Sequence, residues 1–127
     1  MKNNKTVQIN TNFKDMMYYW LKFIKPFHTL SEQPMRILSL LLYFYFDYKE
    51  KTSDEDLLWR LLFSYDTKVM ISNELDVKVH TVENKLTELR RKKVISKNKI
   101  DERFIPNIDK DSKNFSINFL FNINDDK

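Results

Sequence analysis

Helical spacing collects hydrogen-bonding and charged side chains onto one side of residues 78–92 in this chain of 127 residues. With Val82 set inward and 100° allowed per residue, His80, Asn84, Thr87 and Arg91 stand opposite it. Lys78, Thr81, Lys85 and Glu88 flank them. An asparagine amide can hold an adenine edge by two hydrogen bonds, and a threonine can touch a thymine methyl. This face is therefore chemically equipped to read bases. Lys78, Lys85, Arg90, Arg91, Lys92 and Lys97 are the candidates for phosphate contact. His80 also reads as an ordinary exposed residue. The basic run 90–93 equally suits a solvated helix end, where cations meet the negative end of the macrodipole. Glu83 and Glu88 on the same helix oppose purely nonspecific attraction to phosphate.

The charge pattern agrees with this placement. The net charge is +4; residues 66–99 hold nine Lys/Arg against five Asp/Glu, and the rest of the chain holds thirteen of each. The whole positive surplus therefore lies on the segment that carries the candidate face, as attraction to a polyphosphate requires.

Composition excludes other chemistries. The chain has no glycine, so a loop that needs close backbone approach to phosphate, Walker-type or dinucleotide-binding, is not expected. It has no cysteine and only two histidines, His28 and His80, which argues against disulfides, thiolate metal sites and imidazole metal sites. No cofactor is expected. No nucleophile–base–acid arrangement can be assembled, and no enzyme activity is expected. Pro106, Asp109, Asp111 and Lys113 loosely resemble a nuclease metal site, but they read better as a charged, solvated loop. Residues 1–12 lack the apolar stretch of a signal peptide, and the longest apolar run, 40–46, is too short to span a bilayer. A soluble, cytoplasmic protein is the expectation. Lys, Asn, Ile, Phe and Tyr together supply 55 of 127 residues and alanine is absent, a usage that fits an AT-rich bacterial or bacteriophage gene.

The elements that must position the face follow from periodicity. Residues 6–10 have the composition of a short strand. Phe13, Met16, Met17, Trp20 and Ile24 fall on one helical stripe, capped by Asn12 and stopped by Pro26. A second helix starts at the capping hydroxyl of Ser31 and covers 35–48. Its stripe is Met35, Leu38, Leu41, Leu42 and Tyr45, but Leu40, Tyr43, Phe44 and Phe46 make it apolar nearly all round, up to Tyr48. Such a helix is central and buried, or it presents a face to a second copy of the chain. A third helix begins at Ser53, with Leu57, Leu58, Leu61, Leu62 and Tyr65 facing inward. After the candidate helix the period changes to two: Phe115, Ile117, Phe119, Phe121 and Ile123 alternate with mostly polar residues, which predicts a half-buried strand. Residues 100–105 are its expected partner strand and 106–113 the loop between them.

Within 70–95, Ile71 and Leu75 face inward on a first helix and Val77 lies in a turn. Thr81-Val82, Leu86 and Leu89 follow on a second helix, and Val94-Ile95 leads out of it. This pattern resembles winged-helix DNA-binding proteins of the broad MarR-like and related bacterial regulator type. Two positions depart from that pattern. The turn serine that caps the second helix is Lys78, which offers no side-chain acceptor. The exit glycine is Lys93, where a left-handed backbone carries strain.

The expected fold is therefore mainly α with a C-terminal β-hairpin, a single winged helix-turn-helix domain. Its parts are an N-terminal extension and helix at 1–30, core helices at 31–65, the helix-turn-helix at 66–95 and the wing hairpin at 96–123. The resemblance implies double-stranded DNA as partner and transcription regulation as role. The nearly all-apolar second helix and the balanced charge of the expected wing loop also fit a different class, a phage virion or packaging protein that uses the same scaffold for assembly.

Overall fold

The computed structural model describes residues 6–108, 111–118 and 120–124. Residues 6–12 form no strand and run irregularly into helix α1 (Phe13–Phe23). Asn12 opens the helix as its spacing predicts, with Oδ1 accepting the Asp15 N–H at 2.7 Å. α1 ends at Phe23, as expected short of Pro26. Pro26 sits in the first turn of a short helix α2 (Lys25–His28), where its missing N–H would have found no intrahelical acceptor.

Helix α3 (Glu32–Lys51) is the centre of the fold, with Met35, Ile37, Leu38, Leu40, Leu41, Leu42 and Phe46 all buried. Ser31 stands at its N-cap position, but the hydroxyl makes no capping bond. Helices α1, α4 (Glu55–Leu62), α5 (Tyr65–Leu75) and α6 (Val79–Arg91) all pack on α3. The apolar circumference is thus used within the chain, and the half-buried rings of Tyr43, Phe44, Tyr45 and Tyr48 complete the core margin.

The expected third helix is α4, which ends at Leu62, short of Tyr65. Asp54, not Ser53, caps α4, with Oδ1 accepting the Leu57 N–H at 3.2 Å. The chain then breaks at Ser64, whose hydroxyl donates to the Leu61 carbonyl and accepts the Thr67 N–H. A side chain that bonds both ways locally offers the backbone an alternative to continuing the helix. Tyr65 accordingly begins α5 and is exposed rather than inward-facing, and Leu61 is also partly exposed. The junction is pinned to α3: Thr67 Oγ1 donates to the Leu61 carbonyl, so the Tyr48 hydroxyl is the donor to Thr67 Oγ1, at 2.7 Å.

The C-terminal hairpin is smaller and earlier than its sequence pattern implies. Strands β1 (Ile95–Ser96) and β2 (Lys99–Ile100) pair antiparallel, Ile95 opposite Ile100. Lys97 and Asn98, both at positive φ (54° and 57°), form the two-residue turn. Residues 101–105 are not a strand. Asp101 caps a 3₁₀ turn over Glu102–Phe104, and Phe104 is buried in the core. The alternating segment 115–123 forms no strand at its described positions, and Phe119 lies outside the described residues. An alternating pattern states which face a strand would bury but supplies no partner edge, and β2 ends after two residues. Instead, Phe115 meets Trp20 edge-to-face at 5.9 Å, and Trp20 Nε1 donates to the Phe104 carbonyl at 2.8 Å. Among the described residues no helix is long and apolar enough to cross a membrane.

His28 is buried below α1. Its Nδ1 accepts the Leu30 N–H at 2.9 Å, so the proton is on Nε2, which donates to the Leu21 carbonyl at 2.8 Å. Burial pushes its pKa below the usual histidine value, and nearby Lys25 and Lys92 push the same way. The folded state therefore binds less proton than the unfolded chain. The His28 contribution is complete above the ordinary value of 6.5 and is lost as pH falls from there toward the lowered folded value. Melting temperature should fall between about pH 7.5 and about pH 5, with a shallower fall in His28→Gln. Parallel curves for the two proteins would rule His28 out as the cause. Lys93, at φ 65°, carries left-handed strain. Lys93→Gly should stabilise by about 0.5–1 kcal/mol, the strain relieved less the added freedom of the unfolded chain. Thermal or urea unfolding measures it.

Candidate nucleic-acid interface

The candidate face is held by how α5 and α6 end. At α5, Asp76 takes the left-handed conformation (φ 54°); its N–H reaches the Asn73 carbonyl and the Val77 N–H reaches the Ser72 carbonyl at 3.0 Å. At α6 the same pair of bonds recurs: the Lys93 N–H donates to the Arg90 carbonyl at 3.1 Å and the Val94 N–H to the Leu89 carbonyl at 3.0 Å. Both are Schellman closures, normally built on glycine. Here Asp76 and Lys93 take that place. At the second closure Leu89 and Val94 are both buried, which supplies the apolar contact that accompanies the motif. Ile71 of α5 and Val82, Leu86 and Leu89 of α6 are fully buried, with Leu75 and Val77 packed at the margin.

This leaves one side of α6 in solvent. His80, Asn84, Thr87 and Arg91 are exposed, as is Lys78, while Thr81 and Lys85 are half-buried beside them. Thr87 Oγ1 donates back to the Glu83 carbonyl at 3.1 Å. Its hydroxyl is therefore occupied, and the methyl is what remains for an apolar contact. The two acids of α6 are each neutralised: Glu83 pairs with Lys68 of α5 at 3.5 Å and Glu88 with Lys85 at 3.7 Å. Lys92 is also engaged, its Nζ donating to the Thr29 carbonyl at 3.3 Å. Of the six basic candidates, Lys78, Arg90, Arg91 and Lys97 have no ion-pair or hydrogen-bond partner for their side chains among the described residues.

The ten sequence candidates do not form one patch. Arg90 and Lys97 line a separate cleft between α4, the end of α6 and the hairpin turn. Arg60, Lys68 and Lys99, which the helical wheel does not single out, line it with them. The wheel describes one helix, and this cleft draws on four elements. No group of three potential metal ligands occurs among the described residues. Of the nuclease-like set, Asp109 lies outside them. No family model, no curated protein and no solved structure matches the chain.

Lys78 occupies the N-cap position of α6 without a side-chain bond, so the first amides of that helix face solvent uncapped. Lys78→Ser should add the missing acceptor and stabilise the protein by about 1 kcal/mol. The same change should weaken association with a polyanion. A stabilised protein with unchanged affinity for duplex DNA would show that Lys78 makes no phosphate contact.

Proposed function

We propose that this chain is a DNA-binding winged-helix protein, of the kind that regulates transcription in bacteria or their phages. In this reading α5 and α6 are the helix-turn-helix, α6 is the recognition helix and the 95–100 hairpin is a short wing. The supporting observation is the solvent side of α6. Asn84, Thr87, His80 and Arg91 are exposed together on a helix whose opposite side is locked into the core, and both acids of that helix are already paired. A rigid helix with exposed bidentate and apolar groups is what base readout in a major groove requires. Lys78 at its start and Arg91 at its end are separated by the length of the helix and bracket those groups with positive charge.

A second reading, assembly of copies into a larger structure such as a virion part, is favoured by one observation. Tyr19, Phe23 and Phe27 are exposed apolar rings on α1 and α2, Phe27 at 74%. On α3, by contrast, the rings of Tyr43, Phe44, Tyr45 and Tyr48 are half-buried against the core.

A salt titration of binding to random duplex DNA tests the DNA reading, because the slope counts phosphates neutralised. The four sequence candidates without side-chain partners, Lys78, Arg90, Arg91 and Lys97, would at one phosphate each give a slope of log affinity against log salt of roughly −4. Arg91→Ala should reduce it by about 1, while Asn84→Ala should keep the slope and flatten preference among sequences. A slope near zero, with a large oligomer by light scattering, would instead favour assembly.

A further inference from the structure

We propose that the cleft between α4, α5, the end of α6 and the hairpin turn is a binding site for a chain of phosphate groups. The cleft measures about 660 Å³ and five cations line it: Arg60, Lys68, Arg90, Lys97 and Lys99. One carboxylate, Asp56, stands against them. Lys68 is held by Glu83, and the side chains of the other four cations have no ion-pair or hydrogen-bond partner among the described residues.

Like charges gathered around one recess repel each other, and the fold brings them together from two stretches of chain, Arg60 and Lys68 on α4 and α5 and Arg90, Lys97 and Lys99 on α6 and the hairpin. A surface that only needed solubility would disperse them. The hairpin turn sharpens the point. Lys97 and Asn98 are held in the left-handed region, which favours glycine, and so place three consecutive lining residues, 97–99, at the rim. Trp59 and Phe63, near-parallel rings 6.5 Å apart, give the cleft one apolar wall.

The chemistry selects the ligand class. Arginine presents a planar fork that matches phosphate oxygens two at a time, and the two arginines here sit among lysines that act as point charges. A lone carboxylate would leave most of this charge unbalanced, whereas linked phosphates would meet it. Such phosphates come from one of two sources, the polyphosphate of a free nucleotide or the backbone of a DNA strand running past α6. The site itself does not rest on the DNA reading above.

Calorimetric titration with sodium tripolyphosphate tests it. The wild-type protein should bind with one saturable site. The double variant Arg60→Ala/Lys99→Ala changes only exposed side chains, so melting temperature should hold while tripolyphosphate affinity falls about tenfold or more. Arg91→Ala, outside the cleft, should leave it unchanged. If duplex DNA displaces tripolyphosphate and the double variant also loses DNA affinity, the phosphates are those of a DNA strand. If DNA affinity is untouched, the ligand is a free polyphosphate. Absence of saturable tripolyphosphate binding, or equal weakening by Arg91→Ala, overturns the proposal. A flat salt slope for DNA with tripolyphosphate binding intact would overturn only the DNA reading.

Discussion

Burial of α3 is the constraint on which the other elements depend. Nearly every turn of that helix is covered, by α1, α4, α5 and α6, of which α5 and α6 also pack on each other. Each side chain removed from water there contributes about 1.5–3 kcal/mol, far more than any exposed ion pair in the molecule. α6 therefore has its rotation set from below: Val82, Leu86 and Leu89 must point at the core, and Asn84 and Arg91 are outward as a consequence. The solvent face of α6 is thus a by-product of hydrophobic packing on the opposite side.

The charged surface is organised in a second layer over that core. Ion pairs across helix faces remove the acids from consideration, Glu83 through Lys68 and Glu88 through Lys85. These are exposed or half-exposed contacts and add little to stability. Their effect is on the field, because what remains unbalanced lies at the two ends of α6 and around the hairpin turn.

Much of this was legible in the sequence where the determining interactions are local. The spacing of Ile71, Val82, Leu86 and Leu89 located the α5–α6 pair, since a helix buries residues at its own period and needs no distant partner to do so. The helical wheel likewise placed His80, Asn84, Thr87 and Arg91 together in solvent, and the left-handed conformation at Lys93 followed from its place at a helix exit. What failed was non-local. The alternation of Phe115, Ile117 and their neighbours describes a strand only if an edge is free to receive it, and β2 is too short. The real hairpin was hidden because its turn is Lys97-Asn98, without the glycine that normally marks such a turn. The end of α4 at Leu62 was read three residues late, at Tyr65, because the apolar spacing runs on through Ser64, while the hydroxyl that makes the break is a single atom's worth of signal. Arg60, Lys68 and Lys99 could not be linked from sequence at all, because only the packing of α4 and α5 on α3 brings them to one recess.

The bond from Trp20 to Phe104 has a bearing on the order in which the molecule comes together. It joins residues 84 apart. Closing a loop of that length in an otherwise loose chain costs roughly 4 kcal/mol of entropy, against about 1 kcal/mol returned by one hydrogen bond. The contact is affordable only after the intervening helices have already shortened the distance between its ends. The Trp20–Phe104 contact is thus a late-closing clasp. In the finished protein it fastens the 3₁₀ turn to α1, the helix that packs most extensively on α3 through the fully buried Met17 and Leu21.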